Sequence, residues 1–439
     1  MTTVPGSRFQ VPSSKVHVPS SKFQVPSSTF ADSEGVKAFT NPEPGTRNPE
    51  QRSNAEPGTR NPEPLGLYIH IPYCASRCYY CDFNTYRFDA VQAEQYLTGL
   101  SQEIDLWAAT ESVRNRRMCS VFFGGGTPSI LEASQIHDIL DHCRAAFMLE
   151  DGAEISLEAN PGTVDLPKLQ AMREGGVNRL SFGVQAVQDG LLQRIGRSHG
   201  AHEAEQTFWL ARTAGFLNIN LDVMFGLPGQ SLDDWVRSLR WAIRLNPEHL
   251  SAYGLILEEG TRLHHEHRAG SLELPDEETE AAMYQMTIEL LQGAGFEQYE
   301  ISNFSRPGFH CRHNLVYWQH QEYLGLGAGA YSFLGGRRFY NELLPANYLR
   351  AIRERGTAVA GSEPLSHETL RSERLMLGLR LRAGLDLQTF KETLGIDDLS
   401  ASDRVVRLLD GGFLGLKEGR VQITARGLLV ANELIVQLL

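Results

Sequence analysis

The chain has 439 residues, 41% hydrophobic and 21% charged, enough to bury a large core and to divide into two domains. Its formal charge of −12 argues against a nucleic-acid-binding surface. No apolar run reaches the ~20 residues that would make an integral membrane protein, no basic–apolar secretory leader is present, and six cysteines fit a reducing cytoplasm.

Residues 1–64 are repetitive. Phe9–Lys15, Val16–Lys22 and Phe23–Thr29 recur with a seven-residue period, and Asn41–Glu50 is echoed by Ala55–Glu63. Proline, serine and glycine at this density supply no packed core, so a disordered segment is expected. Proline in every unit excludes a heptad coiled coil. Translation of repetitive upstream DNA from a misassigned start is consistent with such a segment.

From Leu67 onward, short apolar runs alternate with helical patterns. Strands are expected at Leu67–Ile71, Ser120–Phe123, Glu154–Glu158, Arg179–Phe182, Asn218–Asp222 and His249–Tyr253. Helices are expected between them, at Ala90–Ala108, Ser134–Phe147, Ala201–Ala214 and Leu232–Arg244. Six such units predict a parallel sheet with right-handed crossovers. The fold class is therefore α/β, a partial (β/α)6-type barrel over residues 65–362, with its chemistry at the C-terminal ends of the strands.

The first strand leads into Cys74, Cys78 and Cys81. Three thiolates on one loop can hold three corners of a cubane [4Fe-4S] cluster, leaving one iron open to a small molecule. Structural zinc wants a fourth protein ligand, and His70 lies inside the strand. Disulfide partners are lacking on this loop. Buried, inert thiols are the reading for Cys119, Cys143 and Cys311.

After the second strand comes Gly124-Gly-Gly-Thr-Pro128, whose backbone can approach a ligand closely and offer carbonyls to an ammonium. Polar residues follow later strands: Glu158 in Leu157-Glu-Ala-Asn-Pro161, Gln185 in Ser181-Phe-Gly-Val-Gln185, Arg197 in Arg194-Ile-Gly-Arg-Ser-His199, and Asp222. Singly, each is more often a satisfied polar residue or helix cap. His264, His265 and His267 lie in a charged helical stretch and are expected to form a solvated face. Further on, His313 could ligate haem iron, with Tyr317 and Trp318 as flat surfaces for a porphyrin; a core histidine beside packed aromatics is the alternative.

The tail, residues 363–439, is expected to be a separate winged-helix-like α+β domain. Helices at Glu368–Leu381, Leu387–Leu394 and Ser402–Leu409 precede a hairpin over Leu414–Thr424, turning at Glu418-Gly419, and a closing helix Arg426–Leu438. Its charges roughly balance, which suits a lid or partner-docking role better than DNA binding.

The Cys-x3-Cys-x2-Cys loop, the string His70-Ile-Pro-Tyr-Cys74 and Gly124–Pro128 together resemble radical S-adenosylmethionine proteins, in the branch that holds oxygen-independent coproporphyrinogen III oxidase and the related haem chaperones. The resemblance runs from about Leu65 to the C-terminus. It implies a cluster on Cys74, Cys78 and Cys81, and S-adenosyl-L-methionine bound by Gly125, Gly126, Thr127, Glu158, Gln185, Arg197, Asp222 and Tyr68. Coproporphyrinogen oxidases carry a further cysteine two positions after the third; here that position is Phe83. His-Asn-x-x-Tyr-Trp, at His313–Trp318, is a mark of the chaperone branch. Both features imply a chaperone that binds haem, through His313 and with Cys311 as a second candidate contact, and passes it to an acceptor haem protein. An enzyme decarboxylating coproporphyrinogen III is the rival, a radical enzyme unrelated to tetrapyrroles the third. The acceptor's identity and whether the protein is a homodimer stay open.

Overall fold

The computed structural model describes residues 64–439. The expectation of a disordered repeat therefore falls outside the described residues, Pro64 apart. Six strands lie side by side, each parallel to the next: β1 (Leu65–Ile71), β2 (Arg117–Gly125), β3 (Met148–Ala159), β4 (Arg179–Gln185), β5 (Ile219–Phe225) and β6 (His249–Gly254). They are the six strands expected, most of them longer by a few residues. Beyond β6 the sheet continues antiparallel through β8 (Asn303–Ser305) to β7 (Glu297–Gln298). On the other side β9 (Tyr323–Leu326) runs parallel to β1, followed by antiparallel β10 (Tyr331–Leu334), β11 (Arg337–Asn341) and β12 (Val359–Pro364). The sheet is open at β12 and β7, so the barrel is partial.

Helices α1 (Ala90–Ala108), α2 (Ala133–Ala146), α3 (Leu166–Glu174), α4 (Ala201–Thr213) and α5 (Leu232–Leu245) connect the parallel strands. Their ends follow from local chemistry. Asp89 accepts the Gln92 N–H to start α1, and Ser231 and Asp234 cap α5 reciprocally. Asn246 stops α5 in the left-handed region, at φ 55°.

Alternation along the strands divides the residues between two faces. Leu67, Ile69, Val121, Phe123, Leu157, Leu180, Phe182, Leu221 and Val223 join the main apolar core. The opposite face carries Tyr68, His70, Ser120, Glu154, Ser156, Glu158, Arg179, Ser181, Asn220, Asp222 and His249, in register from strand to strand: Ser156 beside Arg179, Glu158 beside Ser181, Asn220 beside His249. Central parallel strands are usually apolar on both faces. Here the interior is polar, and most of those side chains are buried.

The C-terminal unit begins two residues later than the expected 363, because Glu363 and Pro364 still pair with Arg338 and Arg337 in the large sheet. It contains helices His367–Gly378, Leu387–Leu394 and Asp403–Asp410, and a hairpin of Leu414–Lys417 with Arg420–Ile423. Glu418 and Gly419, both at positive φ (52° and 72°), make the expected turn. The closing helix is not continuous: it runs as Ala425–Leu428 and Ala431–Leu438, broken where the β-branched Val430 leaves helical dihedrals. The unit is tied to the barrel. Trp318 packs on Leu377 and Leu381, Glu373 bonds His320 (3.1 Å) and Arg338 (2.6 Å), and the Arg382 N–H donates to the Tyr299 carbonyl.

Candidate cofactor site

At the C-terminal ends of the strands lies an open cavity, about 580 Å³ including the solvent at its mouth. Cys74, Cys78 and Cys81 line it, with Gly125, Gly126, Thr127, Glu158, Gln185, Arg197 and Asp222. Ten residues singled out from the sequence thus meet in one place. Tyr68, His313 and Cys311 do not line it.

The cysteine loop is built by backbone anchoring. Tyr73 and Cys74 pair with Tyr86 and Arg87, the Tyr79 N–H donates to the Ile195 carbonyl, and Arg77 Nε donates to the Cys81 carbonyl (3.2 Å). The glycine turn packs directly on this loop: the Gly126 and Thr127 N–H groups donate to the Ile71 and Tyr73 carbonyls (both 2.8 Å). A Cβ on Gly126 would come 2.5 Å from the Tyr73 carbonyl oxygen, which is why the position takes glycine. The three loop cysteines are half-buried, whereas Cys119, Cys143 and Cys311 are buried, as expected.

Donors reach two of the sulfurs. Thr127 Oγ1 donates to Cys74 Sγ and Arg197 Nη1 to Cys78 Sγ, each at 3.5 Å. Arg197 also donates to the Gly183 carbonyl. Gln185 sits at a bulge in the β4–β5 ladder with φ 70°, left-handed for a non-glycine residue, and its Oε1 accepts the Tyr253 hydroxyl at 2.7 Å. The bulge re-aims its side chain into the cavity. Asp222 accepts from Asn220 (2.8 Å) and Ser181 (3.4 Å). Asn160, Ser181 and Phe83 also line the cavity; Asn160 was hidden in the sequence because Asn-Pro reads as a turn.

Tyr68 and His70 form a layer behind the cavity wall. The Tyr68 hydroxyl bonds His70 Nδ1 and His70 Nε2 donates to the Asn84 carbonyl, both at 3.0 Å. Burial lowers the His70 pKa to about 4, so the ring is neutral. With Nε2 carrying the proton, Nδ1 accepts from Tyr68.

His313 lies outside the cavity lining, its ring stacked on that of Tyr68 with centroids 6.3 Å apart. Helix α6 (Arg312–Trp318) sits against the early residues of β1 to β3, with Val316 and His313 over Gly66. Glu154 accepts the Arg312 and His313 N–H groups (3.0 and 3.2 Å) and the Cys311 thiol (3.3 Å), so a carboxylate holds the start of the helix. Both His313 nitrogens are engaged, Nδ1 with Ser120 and Nε2 with Tyr317, at 2.9 Å each. The ring stacks on Phe122 with centroids 5.1 Å apart. Burial, and then the charge of Arg179, lower its pKa to about 3. In this conformation the aromatic surfaces expected to face a porphyrin are covered: Trp318 by the C-terminal unit, Tyr317 by His313 and Tyr323.

His265 is exposed as expected, but His264 and His267 keep their Nδ1 atoms buried without a partner. Their helix is held to the cysteine loop through the Tyr79 carbonyl and Arg262 over the Tyr79 ring.

Comparison with known proteins places the chain among relatives. The model of the radical SAM superfamily matches residues 68–242, and that of the HemN C-terminal domain residues 365–430. The haem chaperone HemW of Bacillus subtilis is 39% identical over 83% of this chain and 97% of its own length. That of Haemophilus influenzae is 35% identical over 85% and 97%. The mitochondrial radical S-adenosyl methionine domain-containing protein 1 of Bos taurus is 37% identical over 85% and 87%. Among solved structures, coproporphyrinogen III oxidase (HemN) of Escherichia coli, a radical SAM enzyme, superposes with a TM-score of 0.74 at 25% identity, over 87% of this chain and 91% of that one.

Proposed function

The chain belongs to the HemW family of the radical S-adenosylmethionine superfamily, and from that premise we propose that it is a haem chaperone, binding haem and passing it to an acceptor haem protein. The observation that carries this reading is the likeness to haem chaperones along nearly their whole length. Phe83, standing in the cavity wall where the oxidase pattern has a cysteine, points the same way.

Cys74, Cys78 and Cys81 would hold a [4Fe-4S] cluster. The fit rests on three thiols facing one cavity, with Thr127 and Arg197 as donors to two of them. Such a cluster supplies one-electron reduction of a bound sulfonium cofactor. Beside it, the cradle at Gly125, Gly126 and Thr127, with Glu158, Gln185, Arg197 and Asp222, suits the amine, carboxylate and ribose of S-adenosyl-L-methionine. Tyr68 supports this wall from behind. No helix among the described residues is long and apolar enough to cross a membrane, and a reducing cytoplasm suits the half-buried loop thiols, which form no disulfide.

Haem would bind at His313–Trp318. Because both nitrogens of His313 are hydrogen-bonded, ligation requires α6 to turn away from Ser120 and release the ring. The fold of the solved oxidase relative favours decarboxylation of coproporphyrinogen III as a second reading.

The deciding experiment is anaerobic haem titration of the reconstituted protein, followed by the Soret band, with coproporphyrinogen III turnover assayed on the same sample. Tight haem binding without turnover is expected. Turnover with weak haem binding would replace the chaperone by the enzyme.

A further inference from the structure

We infer that Asn160 is a positioning residue which, through the Thr127 hydroxyl, directs a hydrogen bond onto the Cys74 sulfur and so raises the reduction potential of the cluster. This rests on the reading of the three loop cysteines as cluster ligands.

Both residues are fixed at the backbone. The Thr127 N–H is bound to the carbonyl of Tyr73, the residue before Cys74, and Thr127 is 4% exposed. The Asn160 carbonyl accepts from the Thr163 N–H (3.1 Å) and hydroxyl (2.7 Å), and Pro161 stiffens the chain that follows. Between these anchors, Asn160 Nδ2 donates to Thr127 Oγ1 at 2.9 Å, and Thr127 Oγ1 lies 3.5 Å from Cys74 Sγ.

Proton direction follows from this geometry. An amide nitrogen only donates, so the Thr127 oxygen is already an acceptor and its own proton is left for the sulfur. The opposite amide orientation would put Oδ1 against Thr127 and draw that proton away. Asn160 Oδ1 instead faces the space over Gly183, 2.9 Å from where a Cβ would stand, on the side that the donor groups Arg197 Nη2 and Gln185 Nε2 also approach. A donor to a ligating thiolate stabilises the more negative, reduced cluster, as hydrogen bonds to sulfur do in iron–sulfur centres generally.

The test is an EPR-monitored redox titration of the reconstituted full chain, with iron and sulfide content measured on each sample. Thr127→Val is expected to lower the midpoint potential, with about tenfold less reduced cluster at a fixed potential, or about 59 mV for one electron. Asn160→Ala should shift it in the same direction by a smaller amount. Thr127→Ser, which keeps the hydroxyl, should retain the wild-type value. An unchanged potential in Thr127→Val overturns the hydrogen bond, and an unchanged potential in Asn160→Ala overturns the positioning role. If Thr127→Val assembles no cluster, Asn160→Ala decides alone. A wild-type protein without iron and sulfide would instead overturn the ligand assignment on which the inference rests.

Discussion

His313 shows how a residue's chemistry depends on where the chain puts it. A histidine with a folded-state pKa near 3 and an ordinary value of 6.5 is neutral in the native protein and protonated when unfolded below pH 6.5. The stability it contributes is present above pH 6.5 and is lost as pH falls from there toward 3. Replacing it by asparagine removes this dependence. The stability gap between wild type and His313→Asn should therefore narrow on acidification, by about 1.4 kcal/mol for each pH unit below 6.5. Urea denaturation at pH 7, 6 and 5 measures it, and a gap that does not vary with pH would mean that the ring takes up its proton in the fold as readily as in the unfolded chain. His70, lowered to about 4 by burial, obeys the same sign over a narrower window.

At the scale of elements, the helix Arg312–Trp318 depends on one carboxylate. Glu154→Ala would leave two backbone N–H groups and the Cys311 thiol without their acceptor, and about 3 kcal/mol of stability should be lost. A urea midpoint within error of wild type would show that water replaces the carboxylate. Nothing in the sequence announces this contact, because Glu154 and Arg312 meet only once the barrel closes. The six parallel strands were legible, since each is a short apolar run followed by a helical period. The segments Glu297–Gln298, Asn303–Ser305 and Tyr323–Pro364 were not; they lie toward the two edges, where strands are short or mix charged with apolar residues. The cavity was legible almost residue by residue through the resemblance to radical S-adenosylmethionine proteins; taken singly, its polar members read as ordinary strand-end residues. Asn160 escaped because a turn signal explained it, and His313 was recognised by its motif but not located, since its place depends on long-range packing.

At the scale of the whole molecule, the C-terminal unit packs directly against the barrel. Leu375, Leu379, Phe390 and Val421 belong to the same apolar cluster as Leu67 and Phe123, and Trp318 spans the junction. Unfolding followed by tryptophan fluorescence and by circular dichroism should give coincident transitions. Two separated transitions would identify residues 365–439 as an independent domain, free to swing as a lid.

Tyr68 stands between the cavity wall and the His313 helix: its hydroxyl bonds His70 and its ring stacks on His313, with centroids 6.3 Å apart. For pharmacology this makes the two places one linked target. A compound prising α6 from Glu154 would strip Tyr68 of a stacking neighbour, and its effect would be felt behind the thiols as well.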